Sequence, residues 1–200
     1  MKKYNLEIMT LIMFGMITFC AVFRQQMSLI QRAMLGYMFL FTLHEWEETR
    51  FPGGFSDLMI KFFGVKTTPE QLSAAHIPVA VLLLVITFVP FFTQIKVAAL
   101  VPVYLGLFET FIHVVGIKIH KMKKPYTPGL VTGLMLGAAS VFVLITFSQN
   151  HLLSSSEYVW GIPLTMACFA AMQRTVIAIY GLGYKDLLAN VKKKLAGRST

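Results

Sequence analysis

The residues best equipped for chemistry in this chain are a few histidines and carboxylates set in strongly apolar sequence. His44-Glu-Trp-Glu47-Glu48 places His44, Glu47 and Glu48 at i, i+3 and i+4, on one side of a helix. Glu109 and His113 repeat the i, i+4 spacing, and His76 stands just before Pro78. Tyr126 precedes a Thr-Pro-Gly stretch, and Arg174 lies inside an apolar run. Histidine and carboxylate side chains projecting from facing helices are how metal sites are built in the cores of helix bundles. Their imidazole and oxygen donors suit Zn, Fe or Mn better than Cu(I), in a mononuclear or a dinuclear site. A divalent ion held there would bring the pKa of a bound water near neutrality. On this reading His44, Glu48, Glu109, His113 and His76 are candidate ligands. Glu47 is the candidate general base, and Tyr126 and Arg174 would orient or stabilise an anionic group.

Each residue also has a plainer reading. His44, Glu47 and Glu48 suit the polar collar of a helix that meets lipid headgroups, and Glu45 and Arg50 read as that collar alone. His120 reads as a surface residue in a basic loop, and His76 reads equally well as a hydrogen-bonded residue near the interface. Glu109 is different. Counted back from Lys118 it lies roughly 13 Å inside an apolar run, where a carboxylate is costly without a partner. Arg174, roughly 16 Å from Lys185 by the same ruler, offers it an ion pair that would need no metal.

The elements that must carry these residues are membrane spans. Hydrophobic residues make up 56% of the chain, only 14% is charged, and the mean hydropathy is +0.67. An ordinary soluble domain is roughly a quarter charged, so this apolar surplus calls for a lipid solvent. Runs near the about 20 residues needed to cross a bilayer occur at Leu6–Phe23, Ser28–Trp46, Leu72–Thr93, Val97–Ile117, Pro128–Ser148 and Tyr158–Tyr180. The second is the weakest, since Gln31 and Arg32 sit near its start. With the N-terminus in the cytoplasm and six alternating spans, only Arg24, Arg32 and Lys96 of the 18 Lys and Arg fall outside, with Arg174 inside a span. That asymmetry is the positive-inside pattern. The expectation is an all-α polytopic bundle of six transmembrane helices with both termini cytoplasmic. It forms one integral membrane domain over residues 1–200, with a basic tail at 185–200.

Local signals agree. Thr68-Pro-Glu-Gln71 reads as a capping box with proline at N1, and Thr127-Pro128 reads as the same kind of start for the fifth span. Phe55, Leu58, Met59 and Phe62 recur at i, i+3, i+4 and i+7, which predicts a short amphipathic helix on the cytoplasmic surface. The segment Lys185–Leu195 reads as a second such helix or as a solvated tail. The net charge of +9 is spread over the flanks of spans, which points to anionic lipid and not to nucleic acid. The two cysteines, Cys20 and Cys168, lie in separate apolar runs and define no disulfide framework. No nucleophile elbow, phosphate loop or dinucleotide fingerprint is present. Compact size and short loops suit a bacterial plasma membrane.

Taken together, His44-Glu-Trp-Glu-Glu48 followed at once by Arg50-Phe-Pro-Gly-Gly-Phe55 resembles the signature of the HXXEE family of small integral membrane proteins. Glu109-Thr-Phe-Ile-His113 resembles that family's N-x-x-x-H motif, and Tyr126-Thr-Pro-Gly-Leu-Val-Thr-Gly133 is similar to its Y-[ST]-P-G stretch. The resemblance runs from about residue 30 to 140, with the motifs in order. It implies a membrane-embedded, metal-dependent enzyme whose reaction is unassigned. Two departures stand out: Glu109 replaces the usual asparagine, and His76 stands where another asparagine is common. Both enrich the pocket in strong ligands. Three functions follow as expectations. The first is a metal-dependent membrane enzyme, by default a hydrolase, that takes a lipid-like substrate at the cytoplasmic side, with oxidation at a di-iron centre also open. The second is a proton- or ion-coupled transporter. The third is a scaffold whose polar cluster only fixes helix packing.

Overall fold

The computed structural model describes residues 4–187, 189 and 192. Its main α-helices among the described residues are α1 (Asn5–Phe23), α2 (Leu29–Thr49), α3 (Phe55–Phe63), α4 (Pro69–Thr93), α5 (Lys96–Ile119), α6 (Leu130–Gln149) and α7 (Ser155–Ile179). Among the described residues there is no strand. Most of the expected tail helix lies outside them.

The helix starts follow from capping chemistry. Ser28, Thr68 and Ser154 each accept a hydrogen bond from the backbone of N3, and the N3 side chains of Gln31, Gln71 and Glu157 reach back to the cap. Each box satisfies two donors that a helix start would otherwise orphan. The expected cap at Thr127 does not form. The helix begins at Leu130 with Gly129 as its cap, in the left-handed region at φ 94°. Thr127 is used elsewhere, as described below.

Five helices are long and apolar enough to cross a membrane: α1 from Leu6 onward, α4, α5, α6 and α7. At 25 residues, α4 and α7 are each about 37 Å long, enough for a hydrocarbon core of about 30 Å. The sequence led us to expect six spans, and α2 falls short of that group because its ends carry Arg32, Glu45, Glu47 and Glu48. It is nonetheless the central element, packed against α1, α4, α5 and α6. Met34 and Tyr37 are 1% exposed and Phe41 is 2% exposed. The surrounding helices bury His44, Glu45 and Glu47 of α2, as intramembrane ionisable groups require, while Arg32 near its start is exposed.

Polar side chains tie the bundle together. Tyr37 Oη donates to Ser140 Oγ at 2.9 Å, joining α2 to α6. Trp46 Nε1 donates to Thr10 Oγ1 at 2.9 Å, joining α2 to α1. Gln71 Nε2 donates to the Ile179 carbonyl at 3.1 Å, joining α4 to α7. Helices α5 and α6 approach closely because Gly106 faces Ser140: a Cβ at Gly106 would lie 2.6 Å from Ser140 Oγ. Small residues at such crossings let membrane helices pack backbone to backbone. The expected amphipathic helix forms as α3, with Gly54 and Gly64 in the left-handed region at either end.

Candidate metal centre

Four of the expected ligands converge. His44 and Glu48 come from the last two turns of α2, and Glu109 and His113 from successive turns of α5. One donor atom from each lies within 4.8 Å of all the others. His113 Nε2 is 3.1 Å from Glu48 Oε1 and 3.8 Å from Glu109 Oε2. His44 Nε2 is 3.5 Å and 3.7 Å from the same two oxygens. Donors placed tetrahedrally at about 2.0–2.1 Å from a Zn²⁺ ion are about 3.3–3.4 Å apart, so this spread matches a single coordination sphere. Burial is deep, since His113 is 0% and His44 3% exposed.

The hydrogen bonds behind the histidines orient their rings. Thr132 Oγ1 has one proton and gives it to Glu47 Oε2 at 2.5 Å, because a carboxylate only accepts. His44 Nδ1, 2.9 Å from the same oxygen, must then donate to it. Thr127 Oγ1 lies between the His113 carbonyl, at 3.1 Å, and His113 Nδ1, at 3.2 Å. His44 therefore carries a proton on Nδ1, and both rings turn Nε2 inward. His44 Nε2, His113 Nε2 and Glu48 Oε1 are buried with no hydrogen-bond partner. These atoms face one another across the cluster, where a shared proton or a cation would satisfy them, and the set of two imidazoles and two carboxylates could hold a divalent metal ion.

The Tyr-Thr-Pro-Gly segment builds the layer outside the ligands. Gly129 has no room for a side chain: a Cβ there would lie 2.5 Å from His113 Cε1 and 2.9 Å from Glu48 Cγ. Thr127 holds His113, and Thr132 holds His44. Partners of this kind fix the orientation and tautomer of metal-ligating histidines. Sequence reading missed both threonines. Their signal was their position one residue and six residues after Tyr126, next to a glycine that admits the ligands.

The remaining candidates are placed differently. Glu47 points away from the cluster and caps α6, accepting from Val131 N at 3.1 Å, Thr132 N at 2.7 Å and Tyr126 Oη at 2.8 Å. Its carboxylate neutralises the positive end of the α6 dipole, so its lone pairs are committed and it is poorly suited to be a general base. Tyr126 is committed too. Burial and the Glu47 carboxylate push its hydroxyl up to about 12, so it stays a protonated donor to Glu47. His76 lies outside the four-residue cluster, on the wall of the adjoining cavity. Arg174 is exposed on the outer side of α7, and among the described residues no ion pair joins it to Glu109. Because α7 ends at Ile179, Arg174 is about 7.5 Å from the helix end, within reach of the interface for a snorkelling side chain.

A cavity of about 330 Å³ adjoins the cluster and includes His44, Glu48 and Glu109 in its wall. Glu45, read from sequence as a collar residue, is buried and opens onto this cavity with His76. The roof is α3, and its Phe55 ring sits 5.1 Å from the His113 ring. A second cavity of about 310 Å³, between α1, α2 and α4, shares Glu45 and His76 with the first.

An all-α bundle with five membrane-length helices and a buried cluster of two histidines and two carboxylates defines a helical membrane protein with a candidate metal centre. The model of the family described as a protein of unknown function with HXXEE motif matches residues 35–144, and the chain belongs to that family. The matched stretch contains all four clustered residues. Neither the curated proteins nor the solved structures provide a match.

Proposed function

We propose that this protein is a metal-dependent integral membrane enzyme, a hydrolase that acts on a lipid-like substrate at the cytoplasmic side of the membrane. The observation that carries this reading is the convergence of two imidazoles and two carboxylates, with donor atoms within 4.8 Å of one another, beside an apolar cavity. A single divalent ion, held by His44, Glu48, Glu109 and His113, suits four donors this close together. Such an ion supplies an activated water near neutral pH and polarises a carbonyl or phosphoryl oxygen. His44, His113 and Glu48 form the closed side of the site. Glu109, the most exposed of the four at 19%, stands on the cavity wall where a substrate oxygen would arrive. Glu47 and Tyr126 act as positioning residues, through Thr132, on His44.

The Lys and Arg distribution supports a sixth crossing by α2 and cytoplasmic termini. The transport reading loses ground because the polar lining of the cavity gathers at its α3 end and gives way to Leu83, Leu105 and Phe108, whereas a conducting path needs polar groups on both sides of the membrane.

The test is elemental analysis of the detergent-purified protein beside monodisperse His44→Ala and Glu109→Gln variants, with release of fatty acid or headgroup from mixed lipid vesicles measured in parallel. The expected outcome is close to one Zn, Fe or Mn per chain in the parent, lost in both variants together with any lipid hydrolysis. A parent that stays metal-free after supplementation would sink the metalloenzyme reading.

A further inference from the structure

We propose that the cavity beside the metal cluster is a binding chamber for one acyl chain of a monoacyl amphiphile, whose head lies against Glu109 and His44. This rests on the proposed enzyme reading only for what happens to that head; the chain site stands on its own geometry.

Polarity is distributed as such a ligand requires. The polar groups gather at the α3 end, with His44, Glu45 and Glu48 on α2, His76 on α4, Glu109 on α5 and Gln173 on α7. Beyond them the wall is hydrocarbon. On α5, Leu105 lies one turn deeper than Glu109, about 6 Å. On α4, Leu83 lies seven residues beyond His76, about 10 Å. Phe41 on α2 and the edge-to-face pair Phe108–Phe169, with centroids 5.0 Å apart, complete the floor. The chamber thus has a polar end beneath α3 and an apolar end that points toward the middle of the bilayer. A small polar substrate would leave that apolar end idle. A diacyl lipid would need room for two chains, and about 330 Å³ is at the lower limit of ligand sites, which run from about 300 to 1,000 Å³.

The roof supplies the entrance. Phe55, Met59, Ile60 and Phe63 on α3 line the chamber from the cytoplasmic side, yet no residue of α3 is buried. An amphipathic helix of this kind lies in the headgroup region, where a single-chain amphiphile partitions. Left-handed glycines at both ends, Gly54 at φ 98° and Gly64 at φ 66°, link it to α2 and α4 through short turns. A chain already in the cytoplasmic leaflet can therefore pass beneath α3 without crossing water.

The test is displacement of cis-parinaric acid from the purified protein, held in a bile-salt-type detergent that has no acyl chain of its own. Competitors are saturated fatty acids and lysophospholipids of increasing chain length, with diacyl phosphatidylcholine beside them. The expected result is affinity that rises with chain length to a limit for both monoacyl series, with little displacement by the diacyl lipid. Leu83→Trp, which fills the floor, is expected to move that limit to shorter chains and weaken the longest by about tenfold, ~1.4 kcal/mol. Phe108→Ala, which deepens the floor, is expected to move it to longer ones. Unchanged chain-length profiles in two monodisperse variants, or equal displacement by the diacyl lipid, would overturn the assignment. A preference for one monoacyl series over the other would identify the head. Metal content measured on the same samples separates the two proposals. Chain binding without metal overturns the enzyme reading alone, and metal without chain binding overturns only the chamber.

Discussion

Thr132 spends its hydroxyl proton on Glu47, which leaves His44 to donate from Nδ1, and Thr127 holds the Nδ1 edge of His113. The inward-facing Nε2 atoms of His44 and His113 are thus aimed by residues outside the cluster. Thr132→Val keeps the shape and removes the relay between Glu47 and His44. Outer partners of this kind typically contribute 10–100-fold in metal affinity, so a weakening of about that size is expected with helicity unchanged. Competition with a chromophoric chelator measures it, and an unaltered affinity would mean that His44 is oriented by packing alone. The four clustered residues were legible in the sequence, as two histidine–carboxylate pairs at i, i+4. Glu47 was misread because i+3 and i+4 were treated as one direction. On a helix turning about 100° per residue, positions 47 and 48 diverge by that angle. Glu48 turns toward α5, whereas Glu47 turns toward the start of α6.

Among the elements, α2 and α6 are joined by that divergence. One carboxylate from the last turns of α2 serves the α6 N-terminus, where orphaned backbone donors and the helix dipole both favour an anion. Glu47→Ala leaves these donors buried and unsatisfied, and a loss of about 3 kcal/mol is expected. Unfolding in mixed micelles of increasing denaturing detergent would measure it. Glu47→Gln, which can still accept, should lose less, and equal stability of all three proteins would contradict the capping role. The placement of Arg174 follows from the same periodicity. Phe169, Met172, Gln173, Val176 and Ile177 form the stripe of α7 that lines the chamber, and position 174 falls off it. The sequence showed an apolar run with an arginine in it, but not which side of the run faces neighbours. That depends on α4 and α5, which are far away in the chain.

At the scale of the whole molecule, the crossing of α2 decides on which side of the membrane the N-terminus lies. If α2 spans, Tyr4 and Lys124 share a side and His151 is on the other. If it does not, Tyr4 changes sides. Single cysteines at these three positions, in a background with Cys20 and Cys168 replaced by serine, report this through labelling of intact cells with a membrane-impermeant maleimide. Shared protection of positions 4 and 124, with labelling at 151, is the expected pattern. Opposite behaviour of 4 and 124 would leave five spans. Spans were legible because lipid demands long apolar runs, and α2 was the faint one because a helix wrapped by its neighbours can carry charge that lipid would refuse. The chamber was not legible at all. It arises where α3, α4, α5 and α7 fail to fill the space between them, and no single segment encodes a void.

The capping of α6 by Glu47 also bears on the order of assembly. This contact uses none of the four clustered donors, and neither do the ties from Tyr37, Trp46 and Gln71. The framework around the cage is therefore closed by bonds independent of its occupant. An ion bound there would therefore enter a bundle already held together by its own bonds, unlike the small zinc domains whose chains fold only around their ion.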